Sequence, residues 1–206
     1  MVAHQRSLFA AGEPGIDDDA RWERVPLDPR SWVDVARGWL RGADTLLDAL
    51  EDGVAWESGR RWMYGRVVDD PRLHARASDP ASLPHPGLVP VRNALEAHYR
   101  VPFGPVALNY YRDGRDSVAF HRDRQLRRVD DTLIAIVTLG ARRPFDIRPR
   151  AGRSRPSRDF APGSGDLLVM GGACQMAWEH AVPKVAHAGP RISVTWRWSG
   201  AKKKDR

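Results

Sequence analysis

The stretch NYYRDGRDSVAFHRD, Asn109 to Asp123, decides the reading of this chain. Leu108 to Arg112 and Ser117 to Asp123 both favour strand, and the Asp113-Gly114 pair between them is a hairpin signal. Residues i and i+2 of a strand point to the same face. His121 and Asp123 therefore project together, with Arg122 turned away, and Asn109 and Tyr111 share a face of the first strand. The expectation is two short strands joined by a turn, the second offering two legs of an iron site, with Asn109 and Tyr111 lining the pocket beside it.

A His-x-acid triplet is weak on its own. Seven histidines and 26 acidic residues in 206 positions produce about one by chance. The rest of the C-terminal half supplies the context. Thr132 to Leu139 is almost wholly apolar, as a strand buried on both faces would be. Pro144 to Ile147 and Arg158 to Phe160 read as shorter strands, and Gly163-Ser164-Gly165-Asp166 as a turn into the strand Leu167 to Met170. Cys174 to His180 reads as a strand with a second histidine at its end. In the last strand, Arg191 to Trp198, Ile192, Val194 and Trp196 share one face and Arg191, Ser193, Thr195 and Arg197 the other.

Two cations on a buried strand face need anionic partners, and a dicarboxylate would supply both. Two imidazoles and one carboxylate with open positions opposite is the ligand set of non-haem iron oxygenases. A lone strand-end histidine is more often structural, and arginines on an edge strand usually face solvent. Asn-x-Tyr, His-x-Asp, His and Arg-x5-Arg occurring in that order outweigh those simpler explanations.

Ahead of this core, Ser31 to Leu40 is ambiguous between helix and extended chain, while Ala43 to Asp52 and Val89 to Tyr99 carry helical spacing. About eight strands with helices before them predict an α+β, mainly β fold. Its core is a double-sheet jelly roll (a double-stranded β-helix) with N-terminal helices packed on one sheet. One domain over residues 1–206 is expected. It comprises an N-terminal arm, 1–30, with one short strand near Trp22 to Val25, a jelly-roll core, 104–198, and a basic tail, 201–206.

Residues 54–84 alternate aromatics with arginines, among them Trp56, Arg60, Arg61, Trp62, Met63, Tyr64 and Arg72. They read as a hairpin or loops. Such a stretch is either a nucleic-acid surface or an ordinary strand pair with a solvated basic face. Net charge +7 suits a polyanionic partner, and an arginine-rich composition accounts for it equally well. With 42% apolar and 29% charged residues the chain reads as folded, and no run has the length to span a membrane. Gly12, Glu13 and Pro14 cut off any signal-peptide core. A single cysteine, Cys174, excludes an internal disulfide and a cysteine metal cluster. A cytoplasmic monomer is expected.

The segment Asn109 to Arg197 resembles the catalytic core of the AlkB family of iron(II)- and 2-oxoglutarate-dependent dioxygenases. The pieces that carry the resemblance are NYYRDG, FHRD, GDLLVMGG, WEHAVPK and RISVTWR, and RRWMYGRVVDDPRL is similar to the family's substrate-recognition lid. The resemblance implies that His121, Asp123 and His180 bind Fe(2+), with 2-oxoglutarate and O2 as cosubstrates. It implies that Arg197, helped by Tyr111, clamps the distal carboxylate, that Arg191 and Asn109 hold the keto-acid end, and that Ser193 and Thr195 line the same pocket. His187 rivals His180 as third ligand, but its place after Pro183 and close before Arg191 makes it a loop residue.

Arg61, Trp62, Met63, Tyr64 and Arg72 would bind substrate, with Gln125 beside them. The implied reaction is oxidative demethylation of N-alkylated bases in nucleic acid, with DNA favoured over RNA, releasing formaldehyde, succinate and CO2. Two positions depart from the family. Ser193 stands where Asn is usual, and Gln125 stands where many repair members carry an acid. The alternatives are an oxygenase of the same cofactors acting on protein or a small molecule, and a non-catalytic nucleic-acid-binding protein.

Overall fold

The computed structural model describes residues 12–63, 65–79, 81–151 and 158–200. The elements are β1 (Gly15–Ile16), β2 (Trp22–Asp28), β3 (Ser31–Ala36), β4 (Leu40–Arg41), α1 (Ala43–Gly53), β5 (Glu57–Met63), β6 (Arg66–Arg76), α2 (Leu88–Tyr99) and β7 (Ala107–Tyr111). There follow β8 (Val118–His121), β9 (Thr132–Gly140), β10 (Asp146–Pro149), β11 (Arg158–Asp159), β12 (Leu167–Gly172), α3 (Cys174–Ala177), β13 (Trp178–Val182) and β14 (Arg191–Ser199). The larger sheet runs β2-β3-β12-β9-β14-β7-β6-β5 and the smaller β11-β10-β13-β8, while β1 pairs with β4.

The two sheets pack as a jelly roll, and β9 shows why its apolar run matters. Leu133, Ala135, Val137 and Leu139 face the helix side, where Leu46, Leu47 and Leu50 of α1 and Leu88, Val91 and Leu95 of α2 cover the larger sheet. Ile134 and Ile136 face the other way, into a second core with Tyr111, Phe145, Ile147, Met170 and Val182. The site lies in this space between the sheets. The last strand divides as its alternation predicts. Ile192, Val194 and Trp196 join the helix-side core, and the Arg191 face turns inward.

The two strands expected around the Asp113-Gly114 turn are formed and joined by it, but they do not pair with each other. β7 pairs with β14 on one edge, Tyr111 opposite Arg191, and with β6 on the other, Tyr110 opposite Leu73. Both edges of β7 are taken, so β8 crosses to the smaller sheet and pairs with β13. The Asp113-Gly114 turn thus links two sheets. Gly114 packs against the Val185 backbone so closely that a Cβ there would collide with its carbonyl oxygen, and its own carbonyl accepts the Val185 N–H at 2.9 Å.

The strand expected near Trp22 to Val25 runs over residues 22–28 as an edge strand of the larger sheet, paired to β3, and the ambiguous stretch Ser31 to Leu40 is largely strand. Cys174 to Ala177 is a helical turn before β13. The tail 201–206 lies outside the described residues. Among the described residues, no helix is long and apolar enough to cross a membrane.

Candidate active site

His121 ends β8 and sits directly opposite His180 of β13 in the antiparallel ladder. Cross-strand neighbours of this kind face each other, and the two rings lie 4.2 Å apart between centroids. Asp123 stands beyond the strand end, so alternation does not place it. Its backbone N–H donates to Gln175 Oε1 at 2.9 Å, and its Oδ2 accepts from Arg197 Nε at 2.5 Å. These two contacts turn the carboxylate back, with Oδ1 3.8 Å from His121 Nε2.

One ligand atom from each of His121, Asp123 and His180 lies within 4.8 Å of the others, the span of a single coordinated ion. His121 Nδ1 lies 2.9 Å from the Ala119 carbonyl oxygen, which only a protonated nitrogen can satisfy. That fixes the tautomer and frees Nε2 as a metal ligand. Phe145 stacks on the His180 ring at 5.6 Å and shields its far side.

The electrostatics prepare the three groups. Burial pushes His180 down to about 3, and the neighbouring His121 adds to the shift. Burial also lowers His121. For Asp123 burial alone would raise the carboxyl, but Arg197, His180 and His121 hold it below its ordinary value. Two neutral imidazoles and one carboxylate, the forms that coordinate a metal, are thus present at neutral pH.

This carries a stability signature in the metal-free protein. Below about pH 6.5 the unfolded chain protonates at residue 180 while the folded protein does not, so stability falls as pH falls. Urea denaturation should show the wild type losing about 2 kcal/mol more than His180→Phe between pH 7 and pH 5. Equal losses would contradict a buried neutral His180. The Asp123 contribution has the same sign but is lost only at more acid pH, as that carboxylate protonates.

Deeper between the sheets, Arg191 is fully buried. Its Nη2 donates to Thr138 Oγ1 at 3.3 Å, but Nε and Nη1 are buried without a hydrogen-bond partner among the described residues. Burial lowers this guanidinium to about 10, and Tyr111 supports its charge. Tyr111 lies beneath it, 5.6 Å from guanidinium carbon to ring centroid. Burial raises the Tyr111 phenol, while Arg191, Arg72 and Arg143 pull it back. A buried cation with idle donors costs free energy until an anion takes them. The donor atoms, the phenol and the buried hydroxyls of Ser193 and Thr195 suit a carboxylate arriving from the metal side. The residues therefore fit both a metal ion and a dicarboxylate.

Arg197 donates to the Asp123 carboxylate, and Arg191 lies deeper, with Nε and Nη1 unpartnered among the described residues. Arg72, expected among the substrate-binding residues, donates from Nε to Asn109 Oδ1 at 2.9 Å. Gln125 is exposed in the turn after Asp123, and His187 is an exposed loop residue outside the convergent group. Tyr64 lies outside the described residues, as do the side chains of Arg61, Trp62 and Met63.

Sequence reasoning missed Gln175, almost wholly buried, which holds the Asp123 backbone. It also missed Arg143, whose buried guanidinium donates to the Asp113, Asp116 and Pro183 carbonyls behind Tyr111. Neither had a distinguishing signal. Gln175 hid in a segment read as strand, and Arg143 was one more arginine in a basic chain.

The model of the 2OG-Fe(II) oxygenase superfamily matches residues 19–197, which include every member of this constellation. The chain belongs to that superfamily. Its members are dioxygenases that use iron(II), 2-oxoglutarate and O2, and the histidine–aspartate–histidine group is a possible site for that metal. The chain is similar to mouse alpha-ketoglutarate-dependent dioxygenase alkB homolog 3, with 30% identity over 216 residues covering 94% of this chain and 76% of that protein. It is 28% identical over 177 residues to human DNA oxidative demethylase ALKBH2, covering 75% of this chain and 68% of that one. The solved structure of OsALKBH1 shares the fold, with a TM-score of 0.59 and 14% identity over 85% of this chain and 99% of that one.

Proposed function

We propose that this oxygenase removes N-methyl groups from the bases of nucleic acid, DNA rather than RNA. The observation that carries the reading is a complete oxygenase constellation in a chain similar along most of its length to AlkB homologues, one of them named a DNA oxidative demethylase. His121, Asp123 and His180 would hold the iron. When bound, the iron supplies the activation of dioxygen that no side chain here can provide.

The protein's own groups bind, orient and exclude. Arg191 takes the far carboxylate of 2-oxoglutarate on its two idle nitrogens, with Tyr111 beneath and Thr138 steadying the guanidinium. Arg197 orients Asp123. Phe145 and the apolar core between the sheets keep water from the deep end. In the net reaction the methyl carbon gains one oxygen atom of O2 and 2-oxoglutarate gains the other. The hydroxymethyl group leaves as formaldehyde, the base nitrogen regains its proton or lone pair, and succinate and CO2 are released.

The target base must leave its stack to reach a site between two sheets. The β5–β6 hairpin, with its arginines and aromatics, and the net charge of +7 suit a polyanion. One chain carries the whole constellation, so a monomer suffices. A reducing cytoplasm fits Cys174, which is buried with its thiol pushed up to about 12 by burial.

The test is mass spectrometry of oligonucleotides carrying N1-methyladenine or N3-methylcytosine, with iron(II) and 2-oxoglutarate. Loss of the methyl group from DNA, slower from RNA, is the expected result. Succinate formation that no methylated oligonucleotide stimulates would instead favour a protein or small-molecule substrate.

A further inference from the structure

We propose that Arg72 is a positioning residue that ties the β5–β6 hairpin to the cosubstrate pocket through Asn109. The inference rests on the 2-oxoglutarate reading of that pocket and extends it to the neighbouring hairpin. From Leu73 to Arg76, β6 pairs with β7 inside the larger sheet. From Arg66 to Asp69 it pairs only with β5, and the β5 register slips between Ser58 and Arg60. Arg72 therefore stands where the hairpin leaves the sheet. The preceding residue is anchored as well, since the Pro71 carbonyl accepts the Ser117 N–H at 2.7 Å, on the approach to β8 and His121.

At this junction the guanidinium turns inward. Its Nε donates to Asn109 Oδ1 at 2.9 Å. An amide whose oxygen is held in this way presents its Nδ2 hydrogens elsewhere, and Asn109 lies opposite Ser193, on the strand face shared with Tyr111. Arg72 thus selects one orientation of the Asn109 amide and leaves its donors for an anionic ligand. Arg72 Nη1 is itself buried with no hydrogen-bond partner among the described residues. That nitrogen is turned away from solvent, where a backbone phosphate would lie. Cosubstrate binding then fixes the base of the hairpin, and displacement of the hairpin loosens the cosubstrate.

The test is calorimetric titration of the Mn(II)-loaded protein with 2-oxoglutarate, which needs no turnover. Arg72→Ala and Asn109→Ala should each weaken binding at least fivefold. The double variant should be no more than twofold worse than the weaker-binding single one, because both remove the same contact. Arg72→Lys, which keeps the charge and one donor, should fall between wild type and Arg72→Ala. The salt dependence of binding to an unmethylated single-stranded oligonucleotide should match wild type in all of them. Wild-type affinity in Arg72→Ala or Arg72→Lys, additive effects in the double variant, or a salt slope reduced by about one phosphate contact would overturn the proposal. If the wild type itself fails to bind 2-oxoglutarate, the cosubstrate reading falls with it. Normal wild-type binding with insensitive Arg72 variants overturns this inference alone.

Discussion

His180→Ala should lower methyl removal to less than about one-hundredth of wild type. Loss of a group that merely orients a metal ligand typically costs 10–100-fold, and His180 is placed as a ligand itself. His180 is nearly fully buried, faces His121 across the ladder and is held neutral, so its role is not shared by any solvent-exposed group. His121→Ala and Asp123→Ala should behave alike, and metal content after dialysis should fall most in double variants. His187→Ala is the contrasting case, since His187 is exposed in the loop before β14 and should be dispensable. An active His180→Ala beside a dead His187→Ala would show the third ligand to be the loop histidine.

The second large effect is expected at Arg191. Arg191→Lys keeps a positive charge but removes the planar fork whose Nε and Nη1 are idle. Two charge-assisted hydrogen bonds reduce to one of poorer geometry, so 2-oxoglutarate affinity should fall more than tenfold, about 1.4 kcal/mol or more. Arg197→Lys should act differently. Its contact is to Asp123, so the change should loosen the metal carboxylate and lower turnover and metal retention more than cosubstrate affinity. The two are separated by measuring the 2-oxoglutarate concentration dependence of succinate formation in each. A shift confined to Arg197→Lys would return the distal clamp to that residue.

Much of the site was legible because strand alternation is a strong local rule. The polar face of β14 and the two-faced burial of β9 both follow from period two. The pairing of β8 was not legible, because a turn signal such as Asp113-Gly114 says that the chain reverses and not which edge it then joins. The Asp123 position was expected for an incomplete reason, since β8 ends at His121 and the contacts to Gln175 and Arg197 do the orienting.

The different surroundings of Arg191 and Arg197 have a similar origin. Alternation puts both on one face, but depth depends on what lies opposite each. Arg191 pairs with Tyr111 and Gly140 in the interior of the larger sheet, whereas Arg197 lies beyond the last residue of β7 that pairs with β14. Arg72 is a longer-range case. Its position in an arginine-rich hairpin suggested phosphates, and only the register of β6 on β7 brings it to Asn109.

The central claim is that one pocket between the sheets holds metal and cosubstrate together, with Arg191 at its deep end. Crystals grown with Mn(II) and 2-oxoglutarate test it most directly through anomalous scattering and the ligand density. The account predicts a single metal peak bonded to His121 Nε2, Asp123 and His180, with the distal carboxylate of 2-oxoglutarate on Arg191. A metal bound at His187, or a distal carboxylate resting on Arg197 with Arg191 still unpartnered, would contradict it.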